Sequence, residues 1–179
     1  MFSDFAKKMI AARQIEFMDG VFILLDKRGV ILPAQVFVKY FLENYKALGN
    51  KSLNILYDVG KWHGKENVAG RAVKKFKLTK ESLLREYGDS ANIMGLGKFE
   101  WTEYFPSQKK LIVRLYDSVF AEELEKQKFK IKKPVDSLAC GIIAGLAEGT
   151  FSIPVEATET KCKYLGAPFC EIIAKPKKK

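Results

Sequence analysis

The chain has 179 residues, 47% hydrophobic and 29% charged, with a formal net charge of +10. That length supports one domain with a proper core, residues 1–179 with a basic tail at 175–179, and the balance excludes an intrinsically disordered chain. No stretch approaches the roughly 20 apolar residues of a membrane span, and MFSDFAKKMIAAR holds no long apolar segment; a cytoplasmic protein without a secretory signal is expected.

Residues 3–12 suit a short helix, and QIEFMDGVFILL at 14–25 suits a β-hairpin turning at Asp19-Gly20. From Pro33 the spacing of Ala34, Val38, Phe41, Tyr45 and Leu48 predicts a helix, which Gly49 ends. A second helix is expected over roughly 51–72, with Leu53, Leu56, Gly60 and Gly64 on one face. Two glycines four apart let another backbone come close. Thr79 can cap a third helix with the stripe Leu83, Tyr87, Ala91 and Met94, broken by Gly95-Leu96-Gly97.

Two alternating strands follow, one carrying Phe99, Trp101, Glu103 and Phe105, the other Leu111, Val113 and Leu115, with a turn at Pro106-Ser107-Gln108. A short helix near 118–127 precedes the basic run 126–133. Pro134 then opens SLACGIIAGLAEG, a helix so uniformly apolar that it must be buried. Strands at about 153–162 and 168–175 form a last hairpin around Gly166. Antiparallel strands separated by helices predict an α+β fold. It has a sheet of about four strands under a layer of helices, plus the N-terminal hairpin.

The three cysteines are an odd number, which rules out full internal pairing. In a reducing compartment, free thiols or metal ligands are expected rather than disulfides. Cys162 and Cys170 are symmetric about residue 166, so a hairpin centred there sets their side chains opposite one another on one face. That spacing suits a shared metal or a disulfide. Cys140, on the buried helix, completes the set only where that helix packs on the hairpin. Glu159 is the nearest acid, but residues 159 and 162 point to opposite faces of an unbroken strand, so Glu159 joins only across a bulge or turn. Zinc takes four such ligands in structural sites. The alternative is three unrelated buried cysteines, a common fate of free thiols. The Lys-rich runs at 74–77, 126–133 and 175–179 are not interleaved with stacking aromatics. They read as solvated surface, so nucleic acid is not an expected partner.

The stretch ETKCKYLGAPFC, following a buried helix that carries a cysteine and following LYDVGKWHG, resembles the vinyl-4-reductase domain family over roughly 20–175. That family includes the sensory domains of phenol- and xylene-responsive activators and is related in fold to small subunits of the TRAPP transport complex. The resemblance implies a zinc held by Cys140, Glu159, Cys162 and Cys170, since the last three keep the family's Glu-x-x-Cys and eight-residue spacing. It also implies a homodimer and an apolar or aromatic small molecule held between helices and sheet.

Three functions follow as expectations. The first is a ligand-binding regulatory or carrier domain acting through a regulatory protein partner, with Tyr57, Trp62, His63 and Trp101 as ligand handles. All four equally suit packing or surface roles. Its cavity is expected between the 51–72 helix, the 79–94 helix and the strand of Trp101, where Gly60 and Gly64 remove side-chain volume. The second is a reductase or accessory protein acting on a vinyl-bearing tetrapyrrole. No nucleotide site supports it: Gly95-x-Gly97 meets Glu100 where a third glycine is needed and precedes a strand, so an enzyme is not the leading expectation. The third is an assembly module without ligand.

Overall fold

The computed structural model describes residues 7, 10, 11, 15–24, 27–70, 79, 84, 91, 92 and 94–178. The expected hairpin is present as β1 (Ile15–Met18) and β2 (Val21–Leu24). Gly20 takes the positive φ of 69° that its turn needs, and β3 (Lys27–Gly29) adds a third strand that no alternation marked. Helix α1 (Ala34–Leu48) follows and buries Val38, Phe41 and Leu42. Its terminal Leu48 and opening Ala34 stay exposed.

Helix α2 (Asn50–Trp62) runs directly into a π-helical segment over His63–Ala69. The expected 79–94 helix lies almost wholly outside the described residues, as do Leu83 and Tyr87. The described Leu84 and Ala91 are buried there, and Met94 is half-buried. The expected helix at 3–12 is likewise mostly outside them.

The main sheet has the order β4-β5-β7-β6, all antiparallel, from β4 (Lys98–Phe105), β5 (Lys110–Tyr116), β6 (Val155–Lys161) and β7 (Cys170–Pro176). Leu111, Val113 and Leu115 face the core along β5, and Cys170, Ile172 and Ala174 do so along β7, the period-two pattern of a half-covered sheet. Helix α3 (Val119–Lys126) is capped by Ser118, whose Oγ accepts from the Ala121 N–H at 3.2 Å.

Helix α4 (Ser137–Phe151) is the centre of the core, with α2 and the π-helical segment on one side and β6 and β7 on the other. Covered on both sides, it needs to be apolar all round. Ile142, Ile143 and Leu146 are fully buried, each contributing about 1.5–3 kcal/mol by leaving water.

The space expected beside Gly60 and Gly64 is not a cavity. A Cβ on Gly60 would strike the Leu138 carbonyl, and one on Gly64 the Ile142 carbonyl. Across the seam, Gly141 faces the Tyr57 carbonyl, Gly145 the Lys61 carbonyl and Gly149 the Ala69 side chain. Glycines on both helices draw the two backbones together and use the freed volume, as close packing of interiors demands. At one end of the seam, the Glu148 Oε1 meets Lys61 Nζ at 2.7 Å and accepts from the Val155 N–H at 3.0 Å, pinning both helices to β6. No helix among the described residues is long and apolar enough to cross a membrane.

Candidate metal centre

The hairpin β6–β7 sets the cysteines as their symmetry required. Cys162 ends β6's path, a short 3-10 turn (Lys163–Leu165) and Gly166 at φ 100° reverse the chain, and Cys170 opens β7. Leu165 and Ala167 donate their N–H groups to the Cys162 carbonyl at 3.0 and 3.1 Å, which closes the turn.

The bulge that Glu159 needs is present. Glu159 pairs with Ile172 and Lys161 with Glu171, so Thr160 is the extra residue. Val155, Ala157 and Glu159 are buried in alternation. The bulge then shifts the phase, so that Cys162, three residues on, is buried as well. As a result Glu159, Cys162 and Cys170 each offer a ligand atom within 4.8 Å of the other two. All three thiols are free and buried, so Cys162 and Cys170 form no disulfide.

Cys140 approaches from α4 and lies against the backbone of Glu159, but its sulfur stands outside that mutual distance. It and Glu159 line an open cleft of about 220 Å³ between α2, the start of α4 and β6, along with Asn54, Tyr57, Lys133 and Ser137.

Asp136, which the sequence reading passed over, belongs to the same neighbourhood. It is 1% exposed, its N–H donates to Glu159 Oε2 at 2.9 Å, and its Oδ1 accepts from Ser118 Oγ at 2.6 Å. An aspartate just before a helix is an ordinary capping signal, and that signal concealed it. In the structure the side chain makes no cap hydrogen bond to α4.

The electrostatics are those of an acidic interior lacking a cation. Burial, with the charges of Asp136 and Cys162, pushes the Glu159 carboxyl up to about 9. Burial raises Asp136 to about 6. The Cys170 thiol is raised through its hydrogen bond to Cys162 and by burial, while Cys162, stabilised by that same bond, is lowered. Burial raises Cys140. Asp136 Oδ2 and Glu159 Oε1 are buried without a hydrogen-bond partner, and neither carboxylate forms an ion pair among the described residues. Buried anionic groups without a counter-charge are costly. Two thiols and a carboxylate that converge on one point, with unpartnered oxygens beside them, fit a thiophilic divalent metal such as zinc.

The four expected ligand handles do not converge in the same way. The Tyr57 hydroxyl accepts from the Ala157 N–H at 3.0 Å and so covers the outer edge of β6. Trp62 is 60% exposed. His63 is half-buried at the start of the π-helical segment, where burial lowers its pKa and keeps the imidazole neutral. Trp101 is half-buried on β4, opposite Val113, and packs on the core. Only Tyr57 of the four lines the cleft at the cysteine cluster.

Residues 111–176 match the vinyl-4-reductase domain family, and that span contains Asp136, Cys140, Glu159, Cys162 and Cys170. Among solved structures, the phenol-responsive sensory domain of the transcription activator PoxR, with phenol, is 18% identical. The similarity covers 98% of this chain and 92% of that one at a TM-score of 0.82. A vinyl-4-reductase family protein from Methanocaldococcus jannaschii is 18% identical over 82% of this chain and 83% of its own, at a TM-score of 0.54. A trafficking protein particle complex subunit 3 from Naegleria fowleri, covalently bound to palmitic acid, is 16% identical over 81% and 95%, at 0.52. No curated protein matches the sequence. The resemblance carried by ETKCKYLGAPFC is borne out, and at these identities the three structures share the fold with this chain.

Proposed function

We propose that this chain, whose residues 111–176 carry the vinyl-4-reductase domain match, is a small-molecule-binding regulatory domain built around a structural zinc. The observation that carries this reading is the overlap, along 98% of the chain, with a phenol-responsive sensory domain, joined to the converged Glu159, Cys162 and Cys170. The ligand is apolar or aromatic, and the output passes through a protein partner.

Zinc would be held by Glu159, Cys162 and Cys170, with Cys140 closing the set from α4. When bound, it supplies a cross-link between α4 and the last hairpin, not a reaction. Asp136 holds Glu159 in place through its amide, and the buried walls keep water from the thiols.

For the small molecule, His63 and Trp101 remain the leading handles. A neutral, half-buried imidazole can exchange a hydrogen bond with a ligand hydroxyl. Tyr57 and Trp62 are weaker choices, the first because its hydroxyl already serves Ala157, the second because it is exposed. The homodimer reading is supported by the apolar surface around the first sheet and α1, where Phe17, Val30, Ile31 and Tyr40 are exposed.

The test is a titration of intrinsic tryptophan fluorescence with phenols and with long-chain apolar compounds. Saturable change that is lost in Trp101→Leu or His63→Ala supports the reading, and no response to either class contradicts it. Light scattering at micromolar concentration tests the dimer, and a monomer mass rejects it.

A further inference from the structure

Asp136 is placed where a helix cap would be, yet its carboxylate turns away from α4. Three contacts define it. Its N–H reaches Glu159 Oε2 at 2.9 Å, its Oδ1 takes the Ser118 hydroxyl at 2.6 Å, and its carboxylate lies beside the Cys170 thiol. One residue therefore touches two of the three converged donors. Its Oδ2 is buried and unpartnered, as is Glu159 Oε1, in a residue only 6% exposed. An ordinary N-cap would satisfy its oxygen on the helix amides and gain roughly 1 kcal/mol. Asp136 forgoes that gain and turns its carboxylate to the donor cluster instead.

Ser118 extends the arrangement. It is fully buried, caps α3 with the same oxygen that donates to Asp136, and so connects the start of α3 to the donor cluster. Groups that hold a metal ligand in orientation are characteristically hydrogen-bonded in such a chain. We infer that Asp136 is the positioning residue of the metal centre. Its amide fixes the Glu159 carboxylate, its side chain orients Cys170, and Ser118 anchors it to α3. This rests on the zinc reading of the same site.

The test compares the full-length protein with Asp136→Ala and Asp136→Asn, using chelator competition for zinc and the visible ligand-field bands of the cobalt-loaded protein. Asparagine keeps an acceptor for Ser118 and offers a donor toward Cys170. Asp136→Ala is expected to loosen zinc by about 10–100-fold and to shift the cobalt bands, with Asp136→Asn restoring both. An alanine variant with wild-type affinity and spectrum overturns the inference, and so does a folded asparagine variant that fails to restore them. Should the alanine variant not fold, Ser118→Ala carries the test: a smaller loosening in the same direction is expected, and an unchanged affinity overturns the inference. Wild-type protein that takes up no zinc instead refutes the metal reading, whatever the variants do.

Discussion

Along its middle, α4 lies backbone to backbone on α2, with Gly141 and Gly145 on one helix meeting Gly60 and Gly64 on the other. Near its N-terminal end the same helix carries Cys140 and follows Asp136, and there two carboxylate oxygens are buried with no partner. The seam is complete in itself, since close packing is its whole contribution. The cluster is complete only with a cation, because its donors converge while their charges do not cancel. One helix thus combines a rigid side that needs no ligand with an end that does.

The largest expected effect is on the seam. Gly141→Ala places a methyl against the Tyr57 carbonyl and the Lys61 amide, both main-chain groups of a packed helix. The cost should reach about 3 kcal/mol or more. That lowers the melting temperature by roughly 6–12 °C in a chain of this size. The loss should be the same with or without zinc. A loss under about 1 kcal/mol would show that the seam yields, and the contrast with the cluster would fail.

Next comes the cluster. With free zinc a hundredfold above its dissociation constant, binding adds about 2.7 kcal/mol to stability. Cys162→Ser should remove that increment and leave the chelator-treated protein little changed. Equal melting temperatures for wild type with zinc and with chelator would break this half of the comparison.

Glu148 sharpens the boundary between the two regions. Burial works against its ionisation, but hydrogen bonds from Lys61 and the Val155 N–H, with the charges of Lys61 and Lys65, outweigh it and hold the carboxyl below its usual range. Its folded value is depressed, so its contribution is present above the unfolded carboxyl pKa and is lost as pH falls through the folded one. Glu148→Gln should cost about 1–3 kcal/mol at neutral pH and flatten the acid limb of the stability profile. An unchanged acid limb would contradict the assignment. The smallest effect is expected for Tyr57→Phe, which leaves the Ala157 amide to water at the sheet edge and costs about 1 kcal/mol without altering zinc content.

Much of this architecture was legible in the sequence because its signals are local. Alternation gave Leu111, Val113 and Leu115 their inward face, and Gly49, Gly20 and Gly166 stand at the ends and turns their conformational freedom suggests. Parity alone required a bulge between Glu159 and Cys162, and the register supplies one. The gap at Gly60 and Gly64 was misjudged for a physical reason: a missing side chain can admit a ligand or a backbone, and only the partner decides which. That partner, with its own glycines at 141, 145 and 149, lies far along the chain. Asp136 was hidden because its role depends on Ser118, 18 residues earlier, and Glu159, 23 residues later, and no local period links them.

The account's central claim is that Glu159, Cys162 and Cys170, closed by Cys140, hold one zinc. Native mass spectrometry of protein purified without chelator tests it directly. One zinc per chain is predicted, retained in Tyr57→Phe and absent in Cys162→Ser. Well under one zinc per chain, or full zinc in the Cys162→Ser variant, would contradict it.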